Sequence, residues 1–120
     1  MKRIALACGD GFGIAGALSP YFAKSPYFTF VNIKEDQIVG FEVLENPQHL
    51  KNQNGSVPRF IASRKADVMI AREIDPKALE CFRQLGIEVV MGAEGKVLDI
   101  IEAYLKEDIQ VKTKVPAAMG

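Results

Sequence analysis

Two side chains in this 120-residue sequence, Cys8 and His49, are our candidates for binding a soft metal centre. Cys8 ends an apolar run that predicts a buried first strand, and a thiolate at a strand end is a good ligand for iron or zinc. His49 is the sole histidine and lies in a polar stretch bounded by turn formers. Cys8 and His49 are therefore our candidate metal ligands, and a four-ligand site would need further ligands from the cargo or a second subunit. A buried small hydrophobe for Cys8, and a solvated loop side chain for His49, remain the structural alternatives.

A glycine-rich segment, residues 9–16, follows the first predicted strand directly. Gly11, Gly13 and Gly16 match the pattern G-x-G-x-x-G, in which glycines allow backbone N–H groups to approach a pyrophosphate closely. However, Pro20 comes too soon after Gly16 for a long helix to begin there. The pattern leaves two alternatives: a nucleotide- or phosphometabolite-binding module that uses Gly11 and Gly13, or a plain flexible loop.

Charged side chains follow a second apolar run, Val68–Ala71. Arg72, Glu73 and Asp75 stand at the predicted carboxyl end of this strand, where binding sites of α/β sheets collect. Arg72 is a candidate contact to a bound ligand, and a solvated ion pair next to a helix cap is the alternative. A hydrolytic triad would have to use His49, and no pattern places a nucleophile beside it. We therefore expect no enzymatic activity.

The second half of the chain predicts strand, helix, strand and helix in that order. Asp75 is a predicted N-cap, Pro76 occupies the first helical position, and Gly86 is placed for a left-handed C-terminal cap. In the first half we expect strand one, a short helix within residues 17–24, a β-hairpin and a helix from Ser56. Periodicity fades near residue 108. We therefore predict one domain, residues 1–108, and a C-terminal tail, residues 109–120.

The overall composition excludes several classes of partner. Fifteen basic and fifteen acidic residues cancel, and the pI is about 6.6, so no basic field is available for nucleic acid. No apolar run approaches the roughly 18 residues that span a bilayer, so we expect no membrane partner. Cys8 and Cys81 lie far apart in sequence, and for the expected cytoplasmic location a structural disulfide is not predicted.

Four segments in this order resemble the dinitrogenase iron–molybdenum cofactor biosynthesis family of nitrogenase accessory factor-like domains. Residues 19–28, Ser-Pro-Tyr-Phe-Ala-Lys-Ser-Pro-Tyr-Phe, are similar to the family's Ser-Pro-His-Phe-Gly-Arg-Ala-Pro-Tyr-Phe. Glu45-Asn46-Pro47 is similar to its Glu-Asn-Pro, and residues 66–71 are similar to its Val-Asp-Val-Val-Ile-Ala. The fourth segment, residues 78–95, is similar to its helix and following strand.

This resemblance implies a fold and a function. The fold is α/β, three layers (α/β/α), with a ribonuclease H-like motif and a mixed five-stranded sheet. The function is that of a small cofactor carrier or assembly factor, which binds an iron–sulfur or iron–molybdenum-type cluster, or another small anionic cargo, and passes it to a cluster-receiving protein. Cys8, Gly11, Gly13, Tyr21, His49 and Arg72 are the expected cofactor-binding residues.

The chain departs from the family pattern at Tyr21 and at residues 72–75. Tyr21 replaces a histidine and is a poorer ligand for soft metals. Residues 72–75 replace a glycine-rich turn with charged side chains, so binding of an anion through bare backbone is not expected there. A degenerate family member that acts through protein contacts is therefore a further alternative.

Overall fold

The computed structural model of the chain describes residues 1–47, 56–106 and, for the backbone alone, 113–115. Its strands are β1 (Lys2–Cys8), β2 (Tyr27–Lys34), β3 (Gln37–Glu45), β4 (Val68–Ala71), β5 (Glu88–Met91) and β6 (Thr113–Val115). Its helices are α1 (Ser56–Ser63), α2 (Pro76–Gln84) and α3 (Val97–Leu105), and one 3₁₀ turn spans Gly13–Ala15. In the described part of the chain, no helix is both long and apolar enough to cross a membrane.

The strands form one mixed sheet in the order β3-β2-β1-β4-β5-β6. β1, β4 and β5 run parallel, whereas β2, β3 and β6 pair with their neighbours antiparallel. The predicted fold class is thereby confirmed, with five strands where the sequence predicts them. β6 is a sixth strand within residues 109–120, for which the sequence predicts only a tail. Three residues have no readable periodicity, and this strand forms because the outer edge of β5 supplies backbone partners.

Two separate core layers lie on the two faces of the sheet. Alternate residues of a strand point to opposite faces, so Ala5 and Ala7 of β1 belong to one layer and Ile4, Leu6 and Cys8 to the other. Helices α1 and α2 cover the first face through residues such as Ile61 and Phe82, and α3 covers the second face through Val97, Ile100 and Ile101. This arrangement is the three-layer α/β/α architecture.

Helix α2 forms as its sequence signals predict. The Asp75 carboxylate accepts a hydrogen bond of 2.9 Å from the Ala78 N–H, and Pro76 opens the helix. Gly86 has φ of +80° at the end of the helix, and the Ile87 N–H donates to the Phe82 carbonyl at 3.0 Å. The helix is thereby held with its N-terminus beside the carboxyl end of β4.

The short helix expected within residues 17–24 does not form. Instead, Leu18 bridges to Cys8, and the Ser19 N–H donates to the Ala7 carbonyl at 2.9 Å. The physical reason is that Pro20 and Pro26 interrupt the segment while the end of β1 offers free backbone partners. Residues 17–19 therefore run across the carboxyl edge of the sheet, and a turn over residues 22–25 follows them.

Candidate functional site

A cleft of about 760 Å³ opens at the carboxyl ends of β4 and β5. Three segments line it: residues 20–24, residues 72–75 after β4, and Met91, Gly92 and Glu94 at and after the end of β5. Parallel strands of an α/β sheet place their loops together at this edge, which is where ligands of such folds bind. Tyr21 and Arg72, two of the predicted binding residues, are therefore brought together.

Aromatic packing and buried hydrogen bonds hold the first wall of the cleft. Phe22 is buried and packs edge-on against Phe82 of α2, with 5.5 Å between ring centroids. The Asn46 side-chain amide donates to the carbonyls of Ala23, at 3.1 Å, and Ser25, at 2.9 Å. Asn46 is 5% exposed, so its amide fixes residues 20–24 from the end of the β-hairpin.

The charged side chains that line the cleft are of both signs: two are cationic, Lys24 and Arg72, and three are acidic, Glu73, Asp75 and Glu94. Arg72 Nε lies 3.6 Å from Glu94 Oε2, and the side chains are 49% and 73% exposed. Asp75 is occupied as the cap of α2, whereas Lys24 has no ion-pair partner within the described residues. Lys24 can thus contact an anion that enters the cleft directly, whereas Arg72 would exchange its contact with Glu94 for one with the anion.

Soft donor atoms are scarce in this cleft. Met91, whose thioether is a soft but neutral donor, is the single sulfur-containing residue in the described lining, which holds neither cysteine nor histidine. Across residues 1–47 and 56–106, no three His, Cys, Asp or Glu side chains are grouped so as to hold a metal ion. A metal centre held here would therefore have to keep ligands of its own.

Cys8 does not reach the cleft. Its side chain is fully buried in the core layer of α3, whereas Phe22 and Ile74 at the cleft belong to the layer of α1 and α2. Burial raises the pKa of the Cys8 thiol; the Thr29 hydroxyl opposes this rise and the nearby Asp10 charge adds to it. The neutral thiol is favoured, which agrees with the small-hydrophobe alternative, and the role of Cys8 as a metal ligand stays a prediction.

The glycine loop also lies apart from the cleft lining. Gly13 has φ of +62°, which strains a residue with a Cβ, and a Cβ there would also clash with the Phe41 ring, so both the backbone and the packing favour glycine. The Asp10 carboxylate accepts from the N–H groups of Phe12, at 3.1 Å, and Ala17, at 3.2 Å. The N–H of Gly16 donates to the Gly13 carbonyl at 3.0 Å. An internal carboxylate thus occupies a position that a phosphate would need.

Gly11 is placed in the same way. A Cβ at Gly11 would meet the ring of Tyr27 at 3.3 Å, which is close packing against protein and not an opening for a ligand.

The other predicted metal ligand, His49, lies outside the described residues, and its role as a ligand stays a prediction. Tyr21 is 63% exposed on the wall of the cleft.

With this geometry in place, comparison with known proteins identifies the family. The family model described as dinitrogenase iron-molybdenum cofactor matches residues 2–107. The chain belongs to this family. The predicted resemblance is confirmed, and the match covers both core layers and all three segments of the cleft.

The chain is also similar to individual proteins and solved structures. The protein PH0822, known from a crystal structure, is 33% identical, with a TM-score of 0.83 over 92% of this chain and 96% of that chain. The apo form of the orange protein from Desulfovibrio gigas is 22% identical, with a TM-score of 0.82 over 97% of this chain and 96% of that chain, and shows the shared fold. An uncharacterized protein of Methanocaldococcus jannaschii is 27% identical over 95 residues, which are 78% of this chain and 80% of that protein.

Two of the segments that resemble the family have structural roles at the cleft. The Glu-Asn-Pro segment places Asn46 to hold residues 20–24, and the Ser-Pro-Tyr-Phe segment is the wall that Asn46 holds. Both segments were predicted from the sequence, but no role was predicted for Asn46, Lys24 or Glu94. The signal for Asn46 was its place in a family segment, whereas Lys24 and Glu94 are ordinary surface charges until the fold brings them to one cleft.

Proposed function

We propose that this family member is a non-enzymatic carrier that binds a small anionic metal–sulfur cluster in the cleft and delivers it to another protein. The observation that carries the proposal is the convergence of Lys24 and Arg72 on an open cleft walled by a family segment. Family membership supplies the class of cargo, a cofactor of the iron–molybdenum type. The cytoplasmic location and the receiving protein are parts of this proposal.

The chemistry of the lining fits an outer-sphere mode of binding. A cluster that keeps its own sulfide ligands presents negative charge, which guanidinium and ammonium groups recognise through charge-assisted hydrogen bonds. Met91 offers a neutral thioether at the end of β5, and Tyr21 offers a hydroxyl on the wall. Because no protein thiolate need be displaced from the metal, the bound cluster can leave intact, as delivery requires.

The proposal is tested by anaerobic titration with tetrathiomolybdate, a coloured anion that contains molybdenum and sulfide. We expect the double variant Lys24→Gln/Arg72→Gln to bind about 100-fold more weakly than the parent, since two charged hydrogen bonds at the lower end of roughly 1.5–3 kcal/mol each sum to about 3 kcal/mol. The matched control is Lys34→Gln/Arg83→Gln, which removes the same charge outside the cleft lining and should change affinity by less than about twofold.

Two results would contradict the proposal. One is a parent protein that does not bind the probe at millimolar concentration. The other is an equal loss of affinity in both double variants, which would show that only net charge matters. The first result would favour the alternative of a degenerate member that acts through protein contacts.

A second variant separates the cleft from the residues expected from sequence. In Cys8→Ala/His49→Ala, both predicted metal ligands are removed. Unchanged affinity and an unchanged absorbance spectrum of the bound probe would exclude them as ligands of this anion. A spectral change would restore one of them to the site, and the single variants would identify which.

A further inference from the structure

Glu94 is the one acidic side chain in the cleft that is paired with a cation of the cleft. The Glu94 Oε2 atom lies 3.6 Å from Arg72 Nε. Within the described ranges, residues 1–47 and 56–106, Arg72 has no other ion-pair partner. The Glu94 side chain is 73% exposed, so little packing restrains it. The carboxylate therefore faces the same guanidinium group that an anionic cargo would use.

The backbone beneath this pair is fixed. Ala71 and Met91 are partners in the parallel pairing of β4 and β5, and the Gly92 N–H donates to the Arg72 carbonyl at 2.9 Å. Gly92 and Gly95, with φ of +88° and +105°, turn the chain on either side of Glu94. The Cα positions of Arg72 and Glu94 are thus set by the sheet and the turn, while both side chains remain free to move.

The contact itself is weak. A separation of 3.6 Å is longer than an ordinary hydrogen bond, and exposed ion pairs contribute little to stability because water and salt screen them. An incoming anion with more than one oxygen or sulfur acceptor can therefore displace the Glu94 carboxylate from Arg72 easily. The same carboxylate is then in place to recover Arg72 when the anion leaves.

We infer that Glu94 is an internal competitor for Arg72, which keeps the affinity for an anionic cargo low enough for release. This inference rests on the proposed function, because it assigns a role within the same cleft. A carrier needs to part from its cargo, and a tethered carboxylate beside the binding cation lowers affinity without closing the cleft. Glu94 is accordingly a residue that tunes release and not a ligand of the metal.

The test uses tetrathiomolybdate binding and stopped-flow dissociation with the variant Glu94→Gln. Glutamine keeps the shape of the side chain and removes its charge, so we expect affinity to rise about two- to fivefold, the range that a weak exposed pair allows. The gain should come mainly from slower dissociation. The matched control is Glu80→Gln, which breaks an exposed ion pair with Arg83 on α2 outside the cleft lining and should leave binding unchanged.

The Arg72→Gln background separates competition from simple repulsion. If Glu94 acts through Arg72, the gain from Glu94→Gln should largely disappear when Arg72 is absent. A gain that persists undiminished there would assign Glu94 a direct repulsion of the anion and overturn the inference. Binding by the parent with no gain in either Glu94→Gln or Glu94→Ala would overturn it as well, while leaving the proposed function intact. Failure of the parent to bind would overturn both.

Discussion

The cleft and the glycine loop follow parallel strands at the same edge of the sheet, yet their polar groups are arranged in opposite ways. In the loop after β1, Asp10 accepts hydrogen bonds from the loop's own N–H groups. In the cleft after β4 and β5, the exposed Lys24 and Arg72 side chains belong to the lining, and a buried amide from a distant segment, Asn46, holds the wall. A glycine-rich loop after a strand is therefore no guide to anion binding unless its donors are unoccupied.

The largest effect is expected from the buried amide on the cleft side. Asn46→Ala leaves the carbonyls of Ala23 and Ser25 without this donor in a buried position and should lower the free energy of unfolding by about 2–3 kcal/mol. Residues 20–24 should also lose their fixed position, so affinity for tetrathiomolybdate should fall. Chemical denaturation and titration measure the two effects.

Asn32→Ala is the matched control for this prediction. Asn32 lies on the same hairpin and accepts from Arg3 at 2.9 Å, but it does not line the cleft. We expect Asn32→Ala to lower the free energy of unfolding by about 1 kcal/mol and to leave the affinity for tetrathiomolybdate unchanged. Equal effects on affinity in the two variants would show that Asn46 acts on general stability and not on the wall.

On the loop side, Gly13→Ala should destabilise the protein by about 2 kcal/mol. The left-handed backbone costs a residue with a Cβ about 1 kcal/mol, and the new methyl group meets the Phe41 ring. In a Phe41→Ala background the steric part of this destabilisation should vanish, so Gly13→Ala should lower the free energy of unfolding by only about 1 kcal/mol. Denaturation curves of the four proteins in this cycle provide the test, and a penalty independent of Phe41 would refute the steric part.

Asp10→Ala should cost about 1–2 kcal/mol, since two N–H groups lose their acceptor. The freed donors should make the loop responsive to anions, so phosphate should raise the melting temperature of the variant more than that of the parent. The matched control is Asp67→Ala. It removes a carboxylate outside the glycine loop, which accepts a hydrogen bond of 2.8 Å from the Arg3 N–H, and its melting temperature should not respond to phosphate in this way. If phosphate raises the melting temperatures of the parent, Asp10→Ala and Asp67→Ala equally, the Asp10 carboxylate is not what keeps anions from the N–H groups of the loop.

Cys8→Ala should lower stability by about 1 kcal/mol through the small cavity that it leaves. The pKa of the Cys8 thiol is raised by burial above its value in the unfolded chain, so the contribution of the neutral thiol to stability is fully present below the unfolded pKa and is lost as the pH rises through the folded pKa. Urea denaturation at pH 7 and pH 9.5 should therefore show an alkaline loss in the parent that is reduced in Cys8→Ala. The same alkaline loss in both proteins would assign it to other groups.

The smallest effect is expected from nucleotides. Because Asp10 occupies the loop's donors, millimolar NAD, FAD or ATP should move the melting temperature by less than about 1 °C. A clear, concentration-dependent rise that Asp10→Ala strengthens would instead support the nucleotide-binding alternative.

The parts of the fold that local signals specify were predictable. Asp75, Pro76 and Gly86 set the bounds of α2 through capping chemistry that involves only neighbouring residues. The position of Arg72 followed from a general property of parallel sheets, namely that loops after neighbouring strands meet. Strand β6 was not predictable, because three residues pair only where another strand offers an edge.

The candidate site was only half predictable, for reasons of geometry. A strand buried on both faces, such as β1, gives no pattern from which to decide the face of Cys8, so the sequence could not place its thiol in the layer away from the cleft. The role of Asp10 depends on a loop conformation that its sequence does not specify. Lys24 and Glu94 lie far apart in the chain and meet only through the sheet order.

Strand β6 bears on how this domain behaves in a crowded solution. Its backbone pairs with residues 89–91, so the short strand beside the cleft does not present a bare row of N–H and C=O groups to other molecules. A chain shortened before residue 113 would expose that row next to the cleft. Such a shortened protein should aggregate through edge-to-edge strand pairing more readily than the full chain, and the aggregates would cover the cleft.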